Sequence, residues 1–245
     1  MSEYYIVKYW YKNGLDLPVI CVTPDERVRI KMNKSNMLIL GTGGIAKACV
    51  EKFNSTYQIT SVSRRTGDIK GDLTEVSFRD HLVETTQPKV IIAAYGDWPE
   101  NMSLSQALNM HFNSVVDLFE KFESKGGLEY FVVISSIDAI CSSHPFMPLS
   151  QFAYRVAKKS LSVFFKEVQL FGRYNSKVVL IEPGFVATNF CNINRRMIDK
   201  NSEDIIFKLK LDVYKTEAVA KQIFDCLNSS HSSLVTMHNK SNIWL

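Results

Sequence analysis

Five short, continuous apolar runs punctuate the chain after Asn36: Met37–Leu40, Gln58–Val62, Val90–Ala94, Tyr130–Ile134 and Lys177–Ile181. Runs of this length, without regular polar alternation, predict strands buried on both faces. Helix-length segments separate or follow them: Ile45–Phe53, Val76–Thr86, Ser103–Glu123, Tyr154–Phe171 and Thr216–Leu227. Strands alternating with helices predict an α/β fold whose parallel sheet is covered on both sides. Right-handed crossovers make that sheet doubly wound, in three αβα layers, with ligands at the carboxyl ends of the strands. Residues 37–245 are expected to form this one domain.

Residues 1–36 follow a different pattern. Tyr4–Tyr11 is an aromatic, β-prone run, followed by the turn dipeptide Asn13-Gly14 and by Pro18–Thr23. This predicts a hairpin or small strand pair, with Arg27–Met32 able to add a third short strand. The extension either packs as an edge on the core or presents Tyr9, Trp10 and Tyr11 to a partner.

Chemistry enters at the first strand, which runs into Gly41-Thr42-Gly43-Gly44-Ile45-Ala46 and then a helix. In this GxGxxA pattern the first glycine permits a tight turn and the second lets the backbone approach a pyrophosphate. Ala46 allows helix and strand to pack closely, as in a Rossmann-type dinucleotide fold. Helix N-termini favour anions through their free N–H groups and dipole. The second strand ends in Ser63-Arg64-Arg65, and no carboxylate occurs between Thr56 and Gly67. An NAD(H) site normally has an acidic residue here for the ribose 2′-hydroxyl, whereas arginine suits a 2′-phosphate. The expected cofactor is NADP(H) rather than NAD(H).

Tyr154 and Lys158 form a YxxxK pair, a spacing that carries little weight alone, since Tyr4 and Lys8 share it. The later pair, however, opens a helical segment, where residues four apart lie on one face. It also follows a strand that ends in Ser135-Ser136. An ammonium beside a phenol favours the phenolate and makes it a better proton carrier. A serine hydroxyl at the strand end can hold a substrate oxygen. Pro183-Gly184-Phe185-Val186-Ala187-Thr188, after the next strand, predicts a tight loop with free amides near the same sheet edge.

The order GxGxxA, Ser, YxxxK and PG(x)VxT resembles the short-chain dehydrogenase/reductase family over roughly residues 37–228. The resemblance implies hydride transfer to or from nicotinamide, interconverting a carbonyl and an alcohol. It gives Tyr154 the role of general acid/base, Ser136 that of orienting the substrate, and Lys158 that of binding the nicotinamide ribose while lowering the tyrosine pKa. Asp72, in Gly71-Asp72-Leu73, looks like the family's adenine-contacting aspartate. Ala94-Tyr95-Gly96 falls where the family has its Asn-Ala-Gly turn, and Val186 and Thr188 would hold the carboxamide and pyrophosphate. A homodimer or homotetramer, paired through the helices Ser103–Glu123 and Tyr154–Phe171, is a further implication.

The chain departs from that family in three places. Its glycine turn is one residue shorter than usual. Ser136 and Tyr154 are farther apart, so that Ser135 or Ser143 are alternatives to Ser136, and the intervening loop Cys141–Gln151 is expected to shape the substrate mouth. His111 stands where the family has a catalytic asparagine, with Asn109 and Asn113 close alternatives. Imidazole titrates near neutrality and could serve the proton relay, or His111 could simply be packed. Residues 189–212 are expected to form a substrate lid.

Composition narrows the alternatives. A formal net charge of +4, with no long basic run, gives no support for nucleic acid as a partner. No run reaches the length of a membrane span, and the N-terminus has no signal-peptide pattern, so the cytoplasm is the expected location. The five cysteines, Cys21, Cys49, Cys141, Cys191 and Cys226, lack metal-ligand spacing and read as reduced packing thiols, so no metal is expected. A small carbonyl or alcohol substrate is the expected partner. Two other readings remain: an NADP(H)-binding redox sensor or scaffold without turnover, and a sugar-nucleotide epimerase, disfavoured by the short chain left after Thr188.

Overall fold

A computed structural model describes residues 34–96, 102–139, 152–188, 213–229 and 233–237. The expected N-terminal strand pair, the loop Cys141–Gln151 and the lid at 189–212 lie outside the described residues. So do Cys21, Cys141 and Cys191.

Among the described residues, seven strands form one all-parallel sheet: β1 (Ser35–Leu40), β2 (Tyr57–Ser63), β3 (Ile69–Lys70), β4 (Val90–Ala93), β5 (Tyr130–Ile134), β6 (Lys177–Pro183) and β9 (Ser233–Met237). Their order across the sheet is β3-β2-β1-β4-β5-β6-β9. Chain order reverses between β1 and β4, which makes their carboxyl ends the crevice where doubly wound sheets bind ligands. Two further short strands, β7 (Phe185–Val186) and β8 (Val213–Tyr214), pair with each other.

The unbroken apolar runs have a direct explanation in the two halves of the core. Met37, Ile39, Ile92, Val132, Val179 and Ile181 point to one face, and Leu38, Leu40, Ile91, Phe131, Val133 and Leu180 to the other. Successive strand residues alternate faces, so a sheet covered on both sides needs apolar residues at every position. The first face is covered by α1 (Gly44–Phe53) and α6 (Thr216–Leu227). The second is covered by α2 (Val76–Thr85), α4 (Ser114–Lys125) and α5 (Phe152–Phe171). Phe119 lies at the centre of an aromatic cluster on this second face, edge-on to Phe131 and Phe165. Buried Cys49 and Cys226 are free thiols packed on the first face, and burial pushes the Cys49 thiol up to about 12, which leaves it inert. Among the described residues no helix is long and apolar enough to cross a membrane.

Two expectations are revised. The segment Ser103–Glu123 is not one α-helix. A short α3 (Leu104–Leu108), opened by a reciprocal Ser103–Gln106 capping box, passes through a π-helical turn at Asn109–Asn113 before α4 begins. Ser114 Oγ bonds back to the Met110 carbonyl inside that wide turn, and such turns recur at functional sites. Second, the loop after β6 is not simply a run of free amides. Ala187 N–H bonds to Tyr214 O at 2.9 Å, because part of the loop is itself a strand, and Thr188 N–H turns back to Val186 O at 2.8 Å.

Candidate active site

The glycine-rich turn is built by close backbone approach. Gly41 has φ +112°, and a Cβ there would lie 2.7 Å from the Ala94 carbonyl oxygen. The turn after β1 can therefore lie directly against the turn after β4 only if position 41 lacks a side chain. A Cβ on Gly44 would meet the Thr188 methyl at 2.8 Å and the Thr216 methyl at 3.2 Å. This seats the loop after β6 over the start of α1. Gly43 is the opposite case: exposed, at the N-cap of α1, with nothing within 4 Å of a Cβ. The first turn of α1 carries no acidic residue, and no side chain caps it. Among the described residues no side chain takes up the N–H groups at this end, and with the helix dipole they fit a pyrophosphate.

The turn after β2 lies beside it. Ser63 Oγ accepts from the amides of Thr66 and Gly67, at 3.0 and 2.8 Å, and folds residues 63–67 into a tight turn. Arg64 and Arg65 are exposed on that turn. Thr66 reaches back to Thr42 of the glycine turn, hydroxyl to hydroxyl at 2.9 Å. Ser63 therefore shapes the turn that carries the two exposed arginines.

After β3, Asp72 Oδ1 accepts from both the amide and the hydroxyl of Thr74, at 2.9 and 2.7 Å. No hydrogen bond reaches its Oδ2 among the described residues. Leu73 is buried in the core. Tyr95 also turns inward. Its hydroxyl donates to Ser114 Oγ at 2.6 Å, since Ser114 spends its own proton on Met110 O, and burial pushes the phenol pKa upward. For a ligand, the Ala94-Tyr95-Gly96 turn offers backbone rather than the tyrosine hydroxyl. Taken together, the open helix end, the paired arginines, Asp72 and the backbone turn after β4 fit the phosphates and adenosine of a dinucleotide.

Across the carboxyl edge, α5 carries Tyr154 and Lys158 in its first two turns, both buried. Lys158 Nζ donates to the Ile134 carbonyl at 2.9 Å and lies 5.8 Å from the Tyr154 ring centre. One hydrogen bond thus locks the start of α5 to the end of β5. Burial pulls the Lys158 pKa down to about 8. Ser136 is buried two residues beyond Ile134. Ser135 is committed elsewhere: its hydroxyl meets Ser162 Oγ at 2.7 Å and the Lys158 carbonyl at 3.3 Å, on the α5 side. Ser136 is buried at the same strand end, and Ser143 lies outside the described residues.

The π-turn sorts the three residues proposed for the asparagine position. His111 is 2% exposed and stands edge-on to Tyr154, ring centres 5.1 Å apart and planes at 88°. A Cβ on Gly96 would meet the His111 ring at 2.6 Å, so the imidazole also packs over the turn after β4. Asn109 instead donates to the Thr74 carbonyl at 3.4 Å, and Asn113 is exposed. Three contributors were not foreseen from sequence: Thr66, Thr216 and Asn109 in its backbone-holding role. All act through contacts between residues far apart in the chain, for which no local pattern exists.

No protein-family model matches the chain, and no curated protein matches it by sequence. Solved structures do. The 3-alpha-hydroxysteroid dehydrogenase of Pseudomonas sp. B-0831, complexed with NADH, superposes with a TM-score of 0.68 at 16% identity, covering 82% of this chain and 94% of that one. A short chain dehydrogenase family protein from Francisella tularensis gives 0.67 at 19% identity, covering 83% and 96%. ElxO with NADP bound gives 0.66 at 17% identity, covering 83% and 97%. The fold is the Rossmann-type fold of these dehydrogenases. At such identities the likeness extends to the fold, and the chemistry must be argued from the residues.

Proposed function

We propose that the chain is an NADP(H)-dependent oxidoreductase that interconverts a small carbonyl compound and its alcohol. The observation that carries this reading is the buried Tyr154–Lys158 pair, pinned to the end of β5 by the Lys158–Ile134 hydrogen bond and set across the sheet edge from the open N-terminus of α1. Solved structures of the same fold hold NADH or NADP, which supports a nicotinamide cofactor. Arg64 and Arg65 at the end of β2 favour the 2′-phosphorylated form. When bound, that cofactor supplies the hydride. The chain handles the proton: the Tyr154 hydroxyl gives it to the carbonyl oxygen during reduction and takes it back during oxidation, Ser136 holds that oxygen, and Lys158 keeps the phenol acidic. We assign His111, edge-on to the ring of Tyr154, to the next step of the proton relay.

The direct test is a titration of the protein with NADPH and with NADH, followed by a panel of carbonyl compounds under saturating NADPH. Tighter binding of NADPH with consumption of at least one carbonyl is expected. Tighter binding of NADH would overturn the cofactor assignment.

Lys158 sets a pH dependence. Its ammonium assists Tyr154 only while protonated, and its pKa lies near 8 instead of the usual value for lysine. The proton is held below that value and lost above it, so kcat/KM is expected to fall as pH rises through about 8. In Lys158→Arg the guanidinium stays charged at all working pH values, so a pH–rate profile should lose that falling limb even if the maximum is lower.

Exposed apolar residues on α5 support an assembly of subunits. Val163, Leu170 and Phe171 are exposed and lie at spacings of seven and eight residues on one helical face. We assign that face to a homodimer or homotetramer; a monomeric mass by sedimentation would rule the assembly out.

A further inference from the structure

Arg79 is a buried cation that the reading above does not use. It sits on α2, 4% exposed, on the face packed against the sheet and α4. Its Nη1 donates to the Leu73 carbonyl at 2.8 Å, and its Nε pairs with the Asp117 carboxylate of α4 at 2.5 Å. Asp117 is in turn bound by Lys121, which also pairs with Asp80. Burial alone would raise the Asp117 carboxyl pKa, but the hydrogen bonds from Lys121 and Arg79 outweigh it and hold the group below its usual value, so the pair is ionised at neutral pH.

Burying the Arg79 guanidinium between two helices is costly even against a partly exposed carboxylate, because apolar residues of similar size serve at least as well. Its particular geometry here is a guanidinium fork with one prong on a carboxylate and the other on a loop carbonyl. That loop is Asp72–Thr74. The same loop is held a second time by Asn109, whose amide donates to Thr74 O, and its internal shape is fixed by Thr74 bonding to Asp72. Both external holds are tied to elements leading into the Tyr154 side of the site, Asn109 directly and Arg79 of α2 through its anchor Asp117. Asp117 belongs to α4, directly after the π-turn that carries His111, and Asn109 belongs to that turn itself.

We propose that Arg79 is a positioning residue: with Asp117 as its anchor, it fixes the Asp72–Thr74 loop in the register that lets Asp72 Oδ2 receive a donor from the adenine end of the cofactor. The inference rests on the nicotinamide-dinucleotide reading of the site. It deepens that reading by tying the adenine end to the helix that bears His111.

The experiment compares the wild-type protein, Arg79→Lys, Arg79→Met and the double variant Arg79→Met/Asp117→Leu. The double variant removes both charges and keeps Lys121 paired with Asp80, so it controls for the partly exposed Asp117 carboxylate that Arg79→Met would leave with Lys121 as its remaining partner. For the double variant, NADPH binding about tenfold weaker is expected, the scale of one lost buried hydrogen bond. KM for NADPH should rise far more than kcat falls, and hydrogen exchange at 72–74 should quicken without a matching change in β4 or β5. Arg79→Lys, which retains a donor, should recover part of the affinity. Wild-type affinity and wild-type exchange in a folded double variant would overturn the role of Arg79 while leaving the cofactor reading intact. Failure of the wild-type protein to bind either NADPH or NADH would overturn both.

Discussion

Tyr154→Phe is expected to lower kcat by about 10²–10⁴-fold at saturating NADPH, the range typical for loss of a general acid/base. The substitution removes one oxygen and nothing else. The ring keeps its buried place at the start of α5, its edge contact with His111 and its distance from the Lys158 ammonium. Thermal stability and NADPH affinity should therefore stay close to wild type while turnover collapses. That separation is what a proton-transfer role demands, because an interaction made only in the transition state lowers kcat and kcat/KM together. The competing reading, an NADP(H)-binding sensor or scaffold, predicts no Tyr154-dependent turnover at all. A Tyr154→Phe protein that reduced its substrate at the wild-type rate would remove the tyrosine from the chemistry, and His111 would become the next residue to test.

The residues that define the sheet were legible because burial on both faces leaves no room for polar positions. Ile39 and Leu40 point to opposite layers and are both fully buried, so the run had to be apolar throughout. β3 and β9 were missed for the converse reason. Ile69–Lys70 is two residues long at an edge of the sheet, and Ser233–Met237 mixes polar and apolar residues at the other edge. The π-turn left no trace in the sequence, since Asn109–Asn113 contains neither glycine nor proline. Yet it is this turn that brings His111, rather than Asn109 or Asn113, against Tyr154. Motif order located the ends of β1, β5 and β6. It could not show that Ser135 is spent on Ser162, that Tyr95 faces inward, or that two loop amides after β6 are already bonded. Those facts depend on side-chain direction and, apart from the local Thr188–Val186 bond, on partners more than a dozen residues away.

The glycine turn allows a sharper test, because two of its glycines answer to different demands. Gly41→Ala should be strongly destabilising: the residue adopts φ +112°, and the new methyl would lie 2.7 Å from a backbone oxygen of the turn after β4. Neither the strand nor that turn can retreat easily, since Gly41 N–H bonds to Val62 O and Ala94 N–H to Leu40 O, joining both turns to the sheet. Strain at such a position together with the clash should cost about 3 kcal/mol or more. In a domain of this size that corresponds to a fall in Tm of roughly 6–12 °C. Gly43→Ala should do the reverse. Its φ of −72° suits any residue and its Cβ meets nothing, so stability should change by no more than about 1 kcal/mol, the scale of an altered N-cap. The methyl would, however, stand where a pyrophosphate must approach the α1 amides, and NADPH affinity should drop at least about tenfold, the equivalent of one or two lost hydrogen bonds. Calorimetric melting and an NADPH titration on the two variants would separate these effects. If Gly43→Ala bound NADPH as tightly as wild type, the open end of α1 would not be the phosphate cradle, whatever Tyr154 does across the sheet edge.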